Sequence, residues 1–433
     1  MNNEMYSSFV YILKSELVPA LGCTEPIAIA FAAAKAKEVL GTAPTHLDVY
    51  CSGNIIKNVQ GVIVPNSNGK KGIEIAAILG AVGGNSSDEL EVLSKVNDEA
   101  RAESEKLLDT DYCKCFHQKD IDNLYIKIIA TSSVTKGNAT VIVSGTHTNI
   151  VYIEKDGQVL LDTQNVKVED ANSPSAKLKK AKELLSVERI YEFANIVKLE
   201  DVQAIIDRQI EFNTKIAKEG LTNDWGTKVG KTLYFCYDNN DVKVRAKAAA
   251  AAGSDARMSG CSLPVVINSG SGNQGLTVSL PVIEYAKELK VSHEKLVRAL
   301  TLANLIALLQ KRYIGSLSAF CGAVCASAGA GCGITYLHDG DEKAIGRVLT
   351  NVLADVGGIV CDGAKPSCAA KIASSLDAAI MAFEMGYVNG DSFQPGDGLV
   401  KSEIEDTVKS YGRLGRKGMK STDEEILEIM LEK

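Results

Sequence analysis

The cysteines that matter most in this chain lie far apart in sequence yet sit in one kind of neighbourhood. Two glycine-rich stretches hold five of them. The later reads Gly357-Gly358-Ile359-Val360-Cys361-Asp362-Gly363-Ala364-Lys365-Pro366-Ser367-Cys368; the earlier runs from Ser318-Ala319-Phe320-Cys321 through Cys325 to Cys332. Far upstream stands Leu21-Gly22-Cys23-Thr24-Glu25-Pro26. Soft thiolates brought in from distant parts of a chain are what an iron–sulfur cluster or a zinc ion requires. Glycine beside each thiol lets backbone N–H groups approach cluster sulfurs. Zinc sites ask for tight Cys-x2–4-Cys pairs. Cys321-x3-Cys325 meets that spacing once and Cys361-x6-Cys368 does not, which ranks a cluster ahead of zinc. Free cysteines also serve as small buried hydrophobes. Cys51, Cys113, Cys115, Cys236 and Cys261 are read that way.

At 433 residues the chain outgrows a single hydrophobic core, so two domains are the default. Its 45% apolar and 23% charged content is that of an ordinary globular protein, and a net charge of −7 argues against a nucleic-acid surface. The short basic run Lys177–Lys182 reads as the solvated face of a helix. No secretory signal is read at the N-terminus, and no run reaches about 18 uninterrupted apolar residues. Sparse cysteines in apolar settings do not make a disulfide scaffold. The expectation is a cytoplasmic protein in a reducing compartment, with no membrane and no nucleic-acid partner; base rates favour a homo-oligomer.

An α+β class follows from the pattern. Residues 1–44 read as two helices, the second starting at Cys23-Thr24-Glu25-Pro26 and closed by Gly41. That start places Cys23 near exposed helical N–H groups. Residues 45–165 read as a small α+β domain with an antiparallel sheet. Its strands are His46–Cys51, Val59–Val64, Leu124–Ala130 and Thr140–Glu154, with a hairpin turn at Asp156-Gly157 and a helix over Ile73–Gly80. The polar segment 167–176 is a linker. Residues 177–433 form a mainly helical domain broken by glycine-rich loops at 253–275, 315–333 and 356–368, where sites concentrate.

Ile267-Asn268-Ser269-Gly270-Ser271-Gly272-Asn273-Gln274-Gly275 precedes a helix and offers several N–H donors to an anion. It matches neither nucleotide-binding glycine pattern, so no nucleotide is implied; the loop either merely turns or holds a small carboxylate or phosphate, with Ser269, Ser271, Gly272 and Asn273 as the candidates. Lys57 and the lysines at 70–71 read as solvated surface. His117, His147 and His293 have no motif around them, and His338 sits at a helix-to-loop turn.

The segments around Cys23, Asn268–Gly275 and Cys361–Cys368 resemble the L-cysteine desulfidase family, related to the α part of bacterial iron–sulfur L-serine dehydratases. The resemblance spans nearly the whole chain. It implies a [4Fe–4S] cluster held by three cysteines with one iron open to a small amino-acid substrate. In desulfidases the ligands match Cys23, Cys321 and Cys361; in serine dehydratases they match Cys321, Cys361 and Cys368. It further implies β-elimination from L-cysteine to pyruvate, ammonia and sulfide, or the equivalent dehydration of L-serine. The general base is not legible: Lys365, beside two ligand positions, and Lys311 qualify by sequence alone, and either would need a pKa lowered by burial. A non-catalytic cluster protein acting as a metabolite or redox sensor is the reading from another class.

Overall fold

In the computed structural model the described residues are 1–164, 174–315 and 317–432. The chain opens with α1 (Asn3–Glu16), β1 (Pro19–Leu21) and α2 (Thr24–Leu40). Then come β2 (His46–Cys51), α3 (Gly53–Val59), α4 (Ile73–Gly83) and α5 (Asp98–Leu108). A run of strands follows: β3 (Cys113–His117), β4 (Tyr125–Ser132), β5 (Gly137–Ser144), β6 (Ile150–Lys155) and β7 (Gln158–Asp162). The helices after it are α6 (Pro174–Glu183), α7 (Val187–Ile196), α8 (Leu199–Thr222), α9 (Val229–Cys236) and α10 (Val242–Met258). Beyond β8 (Pro264–Val266) lie α11 (Gly272–Leu289), α12 (His293–Ile314), α13 (Gly322–Leu337), α14 (Glu342–Val356), α15 (Cys368–Phe383), α16 (Ile404–Arg413) and α17 (Lys420–Leu431). The class is α+β, as expected. Among the described residues no helix is long and apolar enough to cross a membrane.

Six strands form one sheet in the order β3-β2-β4-β5-β6-β7. In β2 and β4 alternate residues are buried, the mark of a sheet with one face on the core. The sheet is mixed rather than antiparallel throughout, because β3 runs parallel to β2. The connection between them carries α3, α4 and α5, which gives the length a parallel crossover needs. Asp156-Gly157 makes the β6–β7 turn with both residues at positive φ. Val59–Val64 is not a strand. Ser52 caps α3 by accepting from Ile55 N, which commits the chain to helix through Val59.

α2 is buried almost all round and packs against α4, so closely that a Cβ on Gly80 would stand 2.2 Å from Ala30 O. Of the expected loop at 315–333, everything from Gly322 on is α13, buried along nearly its whole length. Its glycines serve helix packing, since a Cβ on Gly329 would meet Ala303 O of α12 at 2.5 Å. Gly253 likewise lies inside α10. The expected linker at 167–176 falls mostly outside the described residues, and its end already belongs to α6. Cys236, read as a buried hydrophobe, is exposed. Buried residues form a continuous core from α1, α2 and the sheet through α10–α15.

Candidate active site

Three backbone devices bring the distant cysteines together. β1 pairs antiparallel with β8, Pro19 opposite Val266 and Leu21 opposite Pro264, so the turn carrying Cys23 lies beside the loop that begins at Ile267. Gly22 makes that turn at φ +58, and any Cβ there would stand 2.1 Å from the Pro65 ring. Thr24 Oγ1 donates to Gly270 O at 2.8 Å and ties the two loops. On the other side, Phe320 and Val360 form an isolated antiparallel bridge. Cys321 N donates to Ile359 O at 2.9 Å and Cys361 N to Ala319 O at 2.7 Å. Cys23 and Cys321 are the N-cap residues of α2 and α13, and Cys368 is the first residue of α15.

The Asn268–Ser271 turn is closed by Asn268 N to Ser271 O at 3.1 Å and Ser271 N to Asn268 O at 3.0 Å. Ser269 (φ 53) and Gly270 (φ 74) both adopt left-handed backbone. Asn268, fully buried, donates to Asn304 Oδ1 at 2.9 Å, and Ser271 caps α11.

These loops meet around one cavity with an empty volume of about 780 Å³, its mouth included. Cys23, Cys321, Cys361, Cys368, Ser269, Ser271, Asn273 and Lys311 line it. Gly272 lies behind the wall, with Arg257 pressed on it so tightly that a Cβ would stand 2.2 Å from Arg257 Nε. Lys365 does not line the cavity; it is part-exposed and paired with Asp362. Cys325 is buried inside α13, away from the wall.

The cavity also gathers groups that sequence reasoning missed. Arg257 is 2% exposed; its Nη1 donates to Asn273 Oδ1 at 3.1 Å, while Nε has no hydrogen-bond partner. Glu25 receives the Cys23 thiol at 3.0 Å and Asn58 Nδ2 at 3.3 Å. His147 Nε2 lies 4.0 Å from Glu25 Oε1, buried and without a hydrogen-bond partner, and Gln274 Oε1 is in the same condition. Arg257 had a signal: a charged residue within the alanine-rich, apolar run of α10 must be buried and answered there. His147 had none, for it sits in the polar turn after β5, which only the fold carries to the site.

Burial works against the Glu25 carboxylate, yet the His147 ring and the Cys23 thiol hold it down to about 2. Cys23 itself is pushed up by burial and by Glu25. The two neighbouring thiols shift each other, Cys321 upward and Cys361 downward to about 6, with Lys57 and Lys371 assisting at Cys361. Burial raises Cys368 and lowers Lys311. Four thiols from three loops, with Lys311 and Arg257 on the same wall and Lys57 behind Cys361, match the donor type and the charge of a thiolate-ligated cluster. Among the described residues no three His, Cys, Asp or Glu side chains already stand at metal-holding spacing.

A family model described as serine dehydratase alpha chain matches residues 87–428. A UPF0597 protein of Lachnoclostridium phytofermentans is 53% identical over 427 residues, covering 99% of this chain and 100% of its own. Another, from Desulfitobacterium hafniense, is 50% identical over 98% of this chain and 97% of its own, and one from Treponema denticola is 42% identical over 100% and 99%. The chain therefore belongs to the serine dehydratase alpha-chain family.

Proposed function

We propose that the protein is an iron–sulfur-dependent lyase that converts L-cysteine and water to pyruvate, ammonia and sulfide by β-elimination. The observation that carries this reading is the convergence of four thiols with Glu25, His147 and Arg257 on one buried cavity. Cys321 and Cys361 serve as ligands of a [4Fe–4S] cluster, with Cys23 or Cys368 as the third. When bound, the cluster supplies a Lewis-acidic iron that favours departure of the β-sulfur.

The protein's own groups account for the rest. Arg257 and the N–H groups at the start of α11, with Ser269, Ser271, Gly272 and Asn273, bind and orient the substrate carboxylate. His147, on the cavity wall, takes the Cα proton, and the Glu25 carboxylate beside it stabilises the charged ring. Lys311 is retained as the alternative base, its pKa lowered by burial. Lys365, paired with Asp362 and off the cavity wall, is proposed to support the Cys361–Cys368 loop rather than move a proton. Loss of the Cα proton and of hydrosulfide leaves aminoacrylate, which tautomerises to the imine and takes up water to give pyruvate and ammonia. In this reading residues 177–433 are the cluster-bearing catalytic domain. The helices at 1–44 and the sheet-containing part at 45–165 lend it Cys23, Glu25 and His147. Eleven free cysteines fit a cytoplasmic, reducing setting.

L-serine dehydration by the same groups is the second reading, favoured by the family the chain belongs to. Steady-state kinetics with both amino acids decide between them. A kcat/KM for L-cysteine at least about tenfold above that for L-serine is expected, a difference of about 1.4 kcal/mol in transition-state binding. The reverse order assigns the dehydratase.

A further inference from the structure

The loop that carries Cys361 is gripped from outside the cavity by a lysine that sequence reasoning placed in solvent. Lys57, on α3, is 2% exposed. Its Nζ donates to Cys361 O at 3.3 Å and forms an ion pair with Asp423 on α17, whose side chain is also mostly buried. The backbone contact behind it is equally close: Gly363 (φ +95) lies so near that a Cβ would stand 2.3 Å from Lys57 O. α17 in turn lies on α3, where a Cβ on Gly53 would stand 2.4 Å from Leu427 Cδ2. A buried ammonium costs several kcal/mol unless it is paired and hydrogen-bonded. Lys57 meets that cost with one bond to the C-terminal helix and one to the thiol loop.

We propose that Asp423 and Lys57 form a clamp through which α17 positions the Cys361 loop. Asp423 holds the Lys57 ammonium, Lys57 holds the Cys361 carbonyl, and the Phe320–Val360 bridge passes that constraint on to Cys321. Neither Lys57 nor Asp423 lines the cavity, so both are positioning residues rather than catalytic ones. The inference rests on the lyase reading only in giving Cys361 a ligand's role; the contacts stand without it.

Amide hydrogen exchange on the full metal-free chain tests the clamp, read at the Cys361 and Cys321 amides that bond across the bridge. Asp423→Asn and Lys57→Met should each speed exchange at these two amides about tenfold, the effect of losing one charge-assisted hydrogen bond. The double variant should be no faster than either single one, Asp423→Glu should restore protection to within about threefold, and α10 and α11 should be unmoved. On iron-loaded protein, removal of iron by a chelator should speed up by a similar factor. Unchanged exchange at Cys361 while α17 opens overturns the clamp. Where Asp423→Asn does not fold, Leu427→Ala gives the same reading by loosening α17 from Gly53 with both charges kept. A clamped loop in a protein that releases no pyruvate from either amino acid would sink the lyase and spare the clamp. An active lyase with an unmoved loop would do the reverse.

Discussion

Asp255 should oppose the stability of this protein at neutral pH. It lies on α10, 1% exposed, accepts from Gly230 N at 2.9 Å with Oδ2, and leaves Oδ1 without a partner. Burial lifts its carboxyl from 3.8 to about 6, against the bonds from Gly230 and Val229. Because the folded-state value is the higher, its contribution is fully present below about pH 4. It is lost as pH rises through about 6. The rise from 3.8 to about 6 is worth about 3 kcal/mol at pH 7 and under 1 kcal/mol at pH 4. Asp255→Asn keeps the acceptor for Gly230 and removes the charge, while its amide N–H2 costs about 1 kcal/mol if it finds no acceptor. The variant should therefore be about 2 kcal/mol more stable than the parent at pH 7, with that advantage gone at pH 4. Urea unfolding of the metal-free chain at both pH values measures it, with equal slopes confirming a comparable unfolded state. Since Asp255 does not line the cavity, turnover should be unaffected. A variant no more stable at pH 7, or a gap that does not change with pH, would refute the reasoning.

Further consequences concern the site directly. Glu25→Gln should lower kcat about 10²-fold with KM little changed, and His147→Gln at least as far; full activity in the latter would pass the proton to Lys311. Cys321→Ala and Cys361→Ala should each abolish iron binding. Of Cys23→Ala and Cys368→Ala only the one that removes the third ligand should do so, read as iron per chain after anaerobic reconstitution. Gly272→Ala puts a methyl within 2.2 Å of Arg257 Nε, so it should raise KM and cost about 1–3 kcal/mol of stability. An unchanged KM would remove Arg257 from carboxylate binding.

Local chemistry made part of this fold readable in the chain. The apolar, alanine-rich α2 ends at Gly41 in the left-handed conformation, and Asp156-Gly157 turns β6 into β7, because glycine and hairpin signals act over a few residues. Signals that depend on partners were misread. Glycines at 322–333 look like a loop, but they are small so that α12 and α13 can touch. Lys57 looks solvated until α17 covers it from the far end of the chain. In the site, the motif cysteines stand out because thiols and glycines seldom recur together, and the Ser269–Asn273 loop because hydroxyls, amides and glycines crowd one turn before a helix. Glu25 lay inside a quoted motif without a role, since only the fold sets His147 and Asn58 against it. Lys365 looked catalytic by adjacency, yet three residues of separation brought it to Asp362 instead of the cavity.

The central claim is tested most directly by an anaerobic assay of reconstituted protein with L-cysteine, reading sulfide, pyruvate and iron content together. Sulfide and pyruvate in equal amounts, rising with bound iron and lost in Cys361→Ala, are the predicted result. Bound iron with no product from L-cysteine or L-serine would contradict the lyase and leave a cluster-bearing sensor in its place.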